Sequence, residues 1–108
     1  MAFHDADLAE MCRSDRELRK RCGAVRARKI QQRLADLRAA ETLADMRFLP
    51  GRCHELRGNL AGHLSLDLDR PYRLLFRPAE DRDVGTGRGM DWSVVSAVVV
   101  VAIVDTHN

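Results

Sequence analysis

Aromatic side chains are scarce in this sequence of 108 residues, at 5% of the chain. They are Phe3, Phe48, Tyr72, Phe76 and Trp92. A core with so few rings must be mainly aliphatic, and the hydrophobic fraction of 45% is normal for a globular domain. The length suits one domain over residues 1–108 and is too short for two.

Export and membrane signals are also missing. The first residues, MAFHDADLAEM, are acidic and lack the apolar region of a signal peptide. The apolar run Val94–Val104 is too short for a membrane helix and suits a buried strand. Cys12, Cys22 and Cys53 are odd in number and form no C-x-x-C pair, which favours a reducing compartment. We therefore expect a cytoplasmic protein without a membrane span.

Motifs for metals, phosphate loops and covalent catalysis are absent as well. The histidines and cysteines have no zinc-site spacing, and Cys53 and His54 are neighbours that point to opposite faces of a strand. Gly85–Gly89 is glycine-rich but has neither the Walker lysine nor a βαβ setting. No serine or cysteine lies in a recognisable nucleophile motif. We predict neither a metal nor another cofactor.

The sequence does have a local excess of positive charge, although its net charge is only +2. Residues 13–38 contain ten basic side chains and three acidic ones. This excess favours an anionic partner such as nucleic acid. The alternative is an ordinary solvated helix face, and charge alone does not separate the two.

The first half of the chain has helical patterns. Ala2–His4 suits a short strand, and Ser14 with Glu17 forms a capping box that starts a helix. Gly23 is expected to end or weaken that helix. In the next segment the apolar residues recur at helical spacing, at Val25, Ile30, Leu34 and Leu37. The opposite face of this segment is predicted to carry Arg26, Lys29, Arg33 and Asp36.

The second half changes to a period of two. Cys53–Leu56, Leu64–Leu68 and Tyr72–Phe76 are predicted strands, and Val94–Val104 is a last strand that is apolar on both faces. Pro78–Asp91 is expected to be a polar loop. Helices followed by strands indicate an α+β fold, with N-terminal helices on one face of a small, mostly antiparallel sheet. The other sheet face is left open.

Four basic side chains on this predicted framework suit phosphodiester chemistry: His54, Arg57, Arg73 and His107, with Glu55 nearby in sequence. Metal-free RNA cleavage needs a base for the 2′-OH, an acid for the leaving oxygen and cations for the phosphorus oxygens. Histidine and arginine have the right chemistry for these tasks. The alternative is ordinary surface arginines and a terminal histidine without a role.

The central stretch RCHELRGNLAGHLSLDLDRPYRLLFRP resembles the central motif of the RelE/ParE toxin superfamily, in its HigB-like, plasmid-maintenance killer branch. The segments RLADLRAAETLADM and AIVDTH are similar to the same branch. The resemblance implies a RelE-like domain acting as the toxin of a type II toxin–antitoxin system. Such a toxin is a ribosome-dependent mRNA interferase, an endoribonuclease that cuts the message by 2′-OH attack.

The resemblance also implies roles for individual residues. His54 matches the motif histidine, a general base or acid, and His107 matches the C-terminal histidine, its partner acid or base. Arg57 matches a phosphate contact, and Arg73 matches the arginine that stabilises the transition state. Further RNA contacts are expected from the basic residues Arg26, Lys29, Arg33, Arg52 and Arg70. The implied partners are the ribosome with its mRNA and a HigA-like helix-turn-helix antitoxin, which alone would contact operator DNA.

One position departs from the family pattern. Relatives usually end in Asp-Tyr-His, and here Thr106 stands in place of the tyrosine. Threonine cannot stack on a base, so a weak or inactive toxin-fold protein that binds an antitoxin and co-represses its operon stays open. A ParE-like gyrase inhibitor is a further alternative, but gyrase inhibition needs no pair of histidines.

Overall fold

The computed structural model describes residues 1–83 and 89–106, and the fold is α+β with helices packed against a five-stranded sheet. The helices are α1 (Ala6–Arg13), α2 (Asp15–Cys22) and α3 (Ala24–Ala39). The strands are β1 (Ala2–Phe3), β2 (His54–Glu55), β3 (Leu64–Asp67), β4 (Tyr72–Pro78) and β5 (Val98–Asp105). The strand order is β1-β5-β4-β3-β2, and every pairing is antiparallel except β1 with β5.

Short polar side chains set the limits of the N-terminal helices. Asp5 accepts a hydrogen bond from the backbone N–H of Leu8 at 2.8 Å, and α1 follows. The hydroxyl of Ser14 accepts one from the backbone N–H of Glu17 at 3.1 Å, so the predicted cap of α2 is confirmed. Gly23 ends α2 with a φ of +82°, a conformation that favours glycine.

The apolar stripe of α3 lies on the sheet largely as predicted. Ile30 and Leu34 are fully buried in a core that continues through Leu66 of β3 and Phe76 of β4. Val25 was expected on this stripe, but it is 63% exposed. The buried positions of α3 begin two residues later, at an alanine, because the first turn of the helix lies outside the contact with the sheet.

Arg33 was predicted to lie on the solvent-facing side of α3, and the structure corrects this prediction. It is only 9% exposed because it is three residues after Ile30 and next to Leu34, which places it on the buried stripe. Its Nε lies 3.3 Å from Oδ2 of Asp36, without hydrogen-bond geometry. Its side chain passes under Gly51, where an added Cβ would meet Arg33 Cδ at 3.0 Å.

The strands differ from their predicted limits at two places. The predicted strand at Cys53–Leu56 is reduced to β2, and the predicted strand Val94–Val104 begins only at residue 98. The residues before it form a 3₁₀ helix, Trp92–Val94, whose tryptophan is buried. The predicted loop Pro78–Asp91 holds another 3₁₀ helix, Asp81–Asp83, while its residues 84–88 lie outside the described part.

Within the part of the chain that the structure describes, no helix is long and apolar enough to span a membrane. Leu43–Phe48 forms a 3₁₀ helix that leads from α3 to the sheet. Leu43 and Met46 of this segment are buried in the core, so the connection is packed against the helices and the sheet.

Candidate active site

A cleft of about 420 Å³ lies where strands β3 and β4 meet. Three cationic side chains and one carboxylate line it, together with an apolar wall and a threonine: Arg52, Arg70, Arg73, Asp67, Leu68, Pro71, Tyr72 and Thr106. Three of the arginines that the sequence pointed to therefore come together on one concave surface. Three guanidinium charges against one carboxylate leave the cleft with a formal charge of +2.

The β3–β4 hairpin places Arg73 in this cleft. Arg73 and Asp67 are paired across the two strands, so their side chains project on the same face of the sheet. The turn between the strands is closed by hydrogen bonds from Leu68 N to Tyr72 O at 3.0 Å and from Tyr72 N to Asp69 O at 2.8 Å. The strands on either side of this turn were both predicted from their alternating pattern.

Arg52 reaches the cleft from the segment before β2. Its backbone has a φ of +47°, which is uncommon for a residue with a side chain. The preceding carbonyl, of Gly51, accepts a hydrogen bond from Asp67 N at 2.7 Å and ties the segment to β3. The Nε of Arg52 donates to Oδ2 of Asp67, and this hydrogen bond raises the pKa of the Arg52 guanidinium.

Asp67 is the side chain that joins two of the arginines. One carboxylate oxygen accepts the hydrogen bond from Arg52, and the other, Oδ1, lies 3.3 Å from Nε of Arg73. The second contact lacks hydrogen-bond geometry, so Oδ1 is buried without a hydrogen bond. Sequence reasoning missed this residue, since its pattern only indicated the polar face of a half-buried strand.

His54 has an orientation that suits a general base. Its Nδ1 lies 2.7 Å from the carbonyl oxygen of Arg52, and a carbonyl can only accept a hydrogen bond. The proton of the neutral ring is therefore assigned to Nδ1, which leaves the lone pair on Nε2. Nε2 lies 3.5 Å from the hydroxyl of Ser65, a long contact to a buried side chain.

His54 and the arginine cleft share one face of the sheet. His54 is paired with Ser65, and Arg73 is paired with Asp67 two residues further along the same strand. Strand spacing puts the Cα atoms of His54 and Arg73 about 12 Å apart. The histidine thus lies beside the cleft, at a separation that the two side chains and one bound nucleotide can bridge.

The other two predicted catalytic residues, Arg57 and His107, are not among the described residues that line the cleft. Arg57 is exposed and directly precedes a short 3₁₀ helix, Gly58–Leu60, and it is not among the residues that line the cleft. His107 lies outside the described residues. Its neighbour Thr106 does line the cleft, because its N–H and its hydroxyl both donate to the carbonyl oxygen of Pro71, at 2.9 and 2.6 Å.

The predicted RNA-binding residues of α3 have three different environments. Arg26 is half-buried, pairs through two nitrogens with Asp69 at 3.1 Å each, and stacks over the Tyr72 ring at 3.4 Å. Its guanidinium is already engaged, so it supports the cleft wall. Lys29 is exposed and has no ion pair in the part of the chain that the structure describes. Arg33 is buried, so it is not on the exposed surface where its contact with RNA was predicted.

Glu55 has a structural role that the sequence did not reveal. Its two carboxylate oxygens accept hydrogen bonds from Met90 N and from Trp92 Nε1, both at 3.0 Å. The guanidinium of Arg47 lies over the Trp92 ring at 4.5 Å. Glu55 therefore fastens the segment before β5 to the strand that carries His54.

Two of the three cysteines do not have the environment of nucleophiles. Burial raises the pKa of the Cys53 thiol to about 12 and that of the Cys12 thiol to about 11, so both stay protonated at neutral pH. Within residues 1–83 and 89–106, no group of three His, Cys, Asp or Glu residues is placed to hold a metal ion. The prediction of a metal-free site is not tested by that finding and stays a prediction.

Comparison with known proteins yields no relative for this chain. No family model, no curated protein and no solved structure matches it. The functional interpretation therefore depends on the cleft, on the histidine beside it and on the sequence motif.

Proposed function

We propose that this protein is an endoribonuclease, a ribosome-dependent mRNA interferase that serves as the toxin of a type II toxin–antitoxin system. The observation that carries the proposal is the arginine cleft next to His54, whose Nδ1 faces a carbonyl oxygen, so that the lone pair of the neutral ring is assigned to Nε2. The resemblance of the central motif to HigB-like toxins supports the same conclusion. Action on ribosomes implies a cytoplasmic location.

The proposed reaction begins at His54. Its Nε2 takes the proton of a ribose 2′-OH, and the 2′-oxygen attacks the adjacent phosphorus. Negative charge builds on the phosphorus oxygens, and the guanidinium groups of Arg52 and Arg73 stabilise it. The P–O5′ bond breaks, the 5′-oxygen takes a proton from an acid, and a 2′,3′-cyclic phosphate remains. With His54 as the base, His107, which the resemblance gives as its partner acid or base, takes the role of the acid.

RNA is the expected substrate because this reaction uses the 2′-OH as the nucleophile, and DNA lacks that group. Exposed cations of α2 and α3 without ion pairs among the described residues offer a surface for ribosomal RNA: Arg16, Lys20, Arg28 and Lys29. Contacts of that kind are largely independent of base sequence and weaken with salt.

The direct test is cleavage of mRNA on programmed ribosomes, compared with naked mRNA. We expect cuts only with ribosomes, and we expect His54→Ala to lower the rate by about a hundredfold or more, the range for a lost general base. His4→Ala is the matched control, since His4 is exposed at the edge strand and its backbone N–H still donates to Val100 O at 2.8 Å. Unchanged cutting by His54→Ala would refute the assigned mechanism.

A second candidate is a toxin-fold protein that has weak catalysis and acts mainly by binding its antitoxin. Two observations favour it. Asp67 offsets part of the arginine charge, and the hydroxyl of Thr106 is committed to the backbone of Pro71. Growth arrest on expression without antitoxin separates the two, because only an active toxin causes it. A DNA-damage response with intact mRNA would favour gyrase inhibition instead.

A further inference from the structure

Asp67 is the only carboxylate among the described residues that line the cleft. A negative charge between two of the three arginines is unexpected in a site that has to receive a phosphate. The reaction proposed above has no role for it, since His54 supplies the base. Its position calls for an explanation of its own.

The contacts of Asp67 leave part of each arginine available. Arg52 and Arg73 both approach the carboxylate through Nε, and within the described residues their terminal nitrogens have no hydrogen-bond partner. The Arg52 side chain is 68% exposed and the Arg73 side chain 30% exposed. A phosphate can therefore reach both guanidinium groups from the cleft, while Asp67 remains at their Nε side.

One oxygen of the Asp67 carboxylate nevertheless lacks a hydrogen bond. Its Oδ1 is buried and accepts no hydrogen bond, although it lies 3.3 Å from Arg73 Nε. A bound phosphate would add a second negative charge a few ångströms away and compete for the same two cations. Repulsion between like charges at such a separation weakens binding even near the surface.

We propose that Asp67 is an internal counter-anion that keeps the affinity of the cleft for a lone phosphate low. The inference rests on the cleft receiving the scissile phosphate, as in the proposed function. It implies that the substrate must be held by contacts outside the cleft, where a large partner raises its effective concentration. Asp67 would then contribute to selection against free RNA and small anions.

The test compares Asp67→Asn with wild type, and inorganic phosphate and a 2′-O-methyl trinucleotide serve as probes. Binding is followed by NMR of the arginine Nε–H groups, which report on Arg52 and Arg73 directly. Removal of one negative charge should tighten phosphate binding about fivefold, because it relieves the repulsion between two like unit charges in a solvated site. Asp67→Glu keeps the charge and should bind phosphate as wild type does.

Asp69→Asn is the matched control. It removes the same charge two residues away, but Asp69 pairs with Arg26 and does not line the cleft. We expect a change in phosphate affinity of less than about twofold there, because exposed charges further apart are screened. Equal tightening by both substitutions would overturn the inference and point to net charge alone.

Three further results of these binding experiments bear on the role of Asp67. Unchanged or weaker phosphate binding by Asp67→Asn, with the thermal unfolding midpoint retained, would overturn the inference and make Asp67 a brace for the arginines. If neither wild type nor Asp67→Asn binds either probe, the inference is also overturned. RNA cleavage is measured separately, so a protein that binds phosphate as expected but cuts no RNA would refute the proposed function and leave the inference standing.

Discussion

The Glu55 carboxylate offers the sharpest test of the structure, through Glu55→Ala. The substitution removes the acceptor of two hydrogen bonds, from Met90 N and from Trp92 Nε1, both 3.0 Å long. Trp92 is only 6% exposed and Met90 7%, so their donors stay buried without a partner. The segment 89–95 should then separate from β2 more easily.

The magnitude follows from the two bonds. A hydrogen bond to a charged group contributes about 1.5–3 kcal/mol, and an orphaned buried donor costs about 1–3 kcal/mol. Glu55 itself is half-buried, so water can replace part of the loss. We therefore expect Glu55→Ala to lower the free energy of unfolding by about 3 kcal/mol.

Urea unfolding followed by Trp92 fluorescence measures this loss, since Trp92 is the only tryptophan and one of its hydrogen bonds is removed. Glu10→Ala is the control: it is the same substitution at an exposed position of α1, and we expect it to change stability by less than about 0.5 kcal/mol. A Glu55→Ala protein as stable as that control would refute the reasoning.

Three further outcomes are expected. Thr106→Val keeps the backbone bond to Pro71 but loses the hydroxyl donor, which also holds the end of β5 at the cleft wall, so any mRNA cleavage should fall severalfold at an unchanged unfolding midpoint; unaltered cleavage would contradict a positioning role for that bond. The hydrogen bond from Arg21 lowers the pKa of Asp7 below its ordinary 3.8. The folded protein therefore binds a proton there less readily than the unfolded chain, and this stabilisation is present above pH 3.8 and is lost as the pH falls below it. In urea unfolding as a function of pH, Asp7→Asn should remove that part of the acid dependence, and an identical pH profile would argue against the pair. Cys53 should resist iodoacetamide at pH 8 in the folded protein and react in urea, and equal rates would contradict its burial.

The periodic patterns of the sequence predicted most of the architecture, because hydrophobic period reports directly on which face of an element is buried. The cap at Ser14, the break at Gly23 and the hairpin of β3 and β4 are all local features. The same patterns failed at Arg33, where a charged side chain occupies the buried stripe of α3. A long aliphatic stem can lie in an apolar setting, which no periodicity rule records.

The candidate site could be predicted only in part, for a similar reason. The sequence motif pointed to His54 and Arg73, and both lie on one face of the sheet. It could not show that Asp67 lies between two arginines, since that contact joins Arg52, β3 and β4. It also placed Arg26 with the RNA contacts, whereas the structure pairs it with Asp69, 43 residues away.

The sequence by itself determined the class of fold, the positions of the turns and a short list of residues suited to phosphodiester chemistry. Those properties depend on neighbours along the chain, so local spacing is enough to reveal them. Only the tertiary structure decided which cations are free and which are engaged, and which nitrogen of His54 carries the proton. Charge pairing and hydrogen-bond direction depend on groups that are distant in sequence and are brought together only by folding.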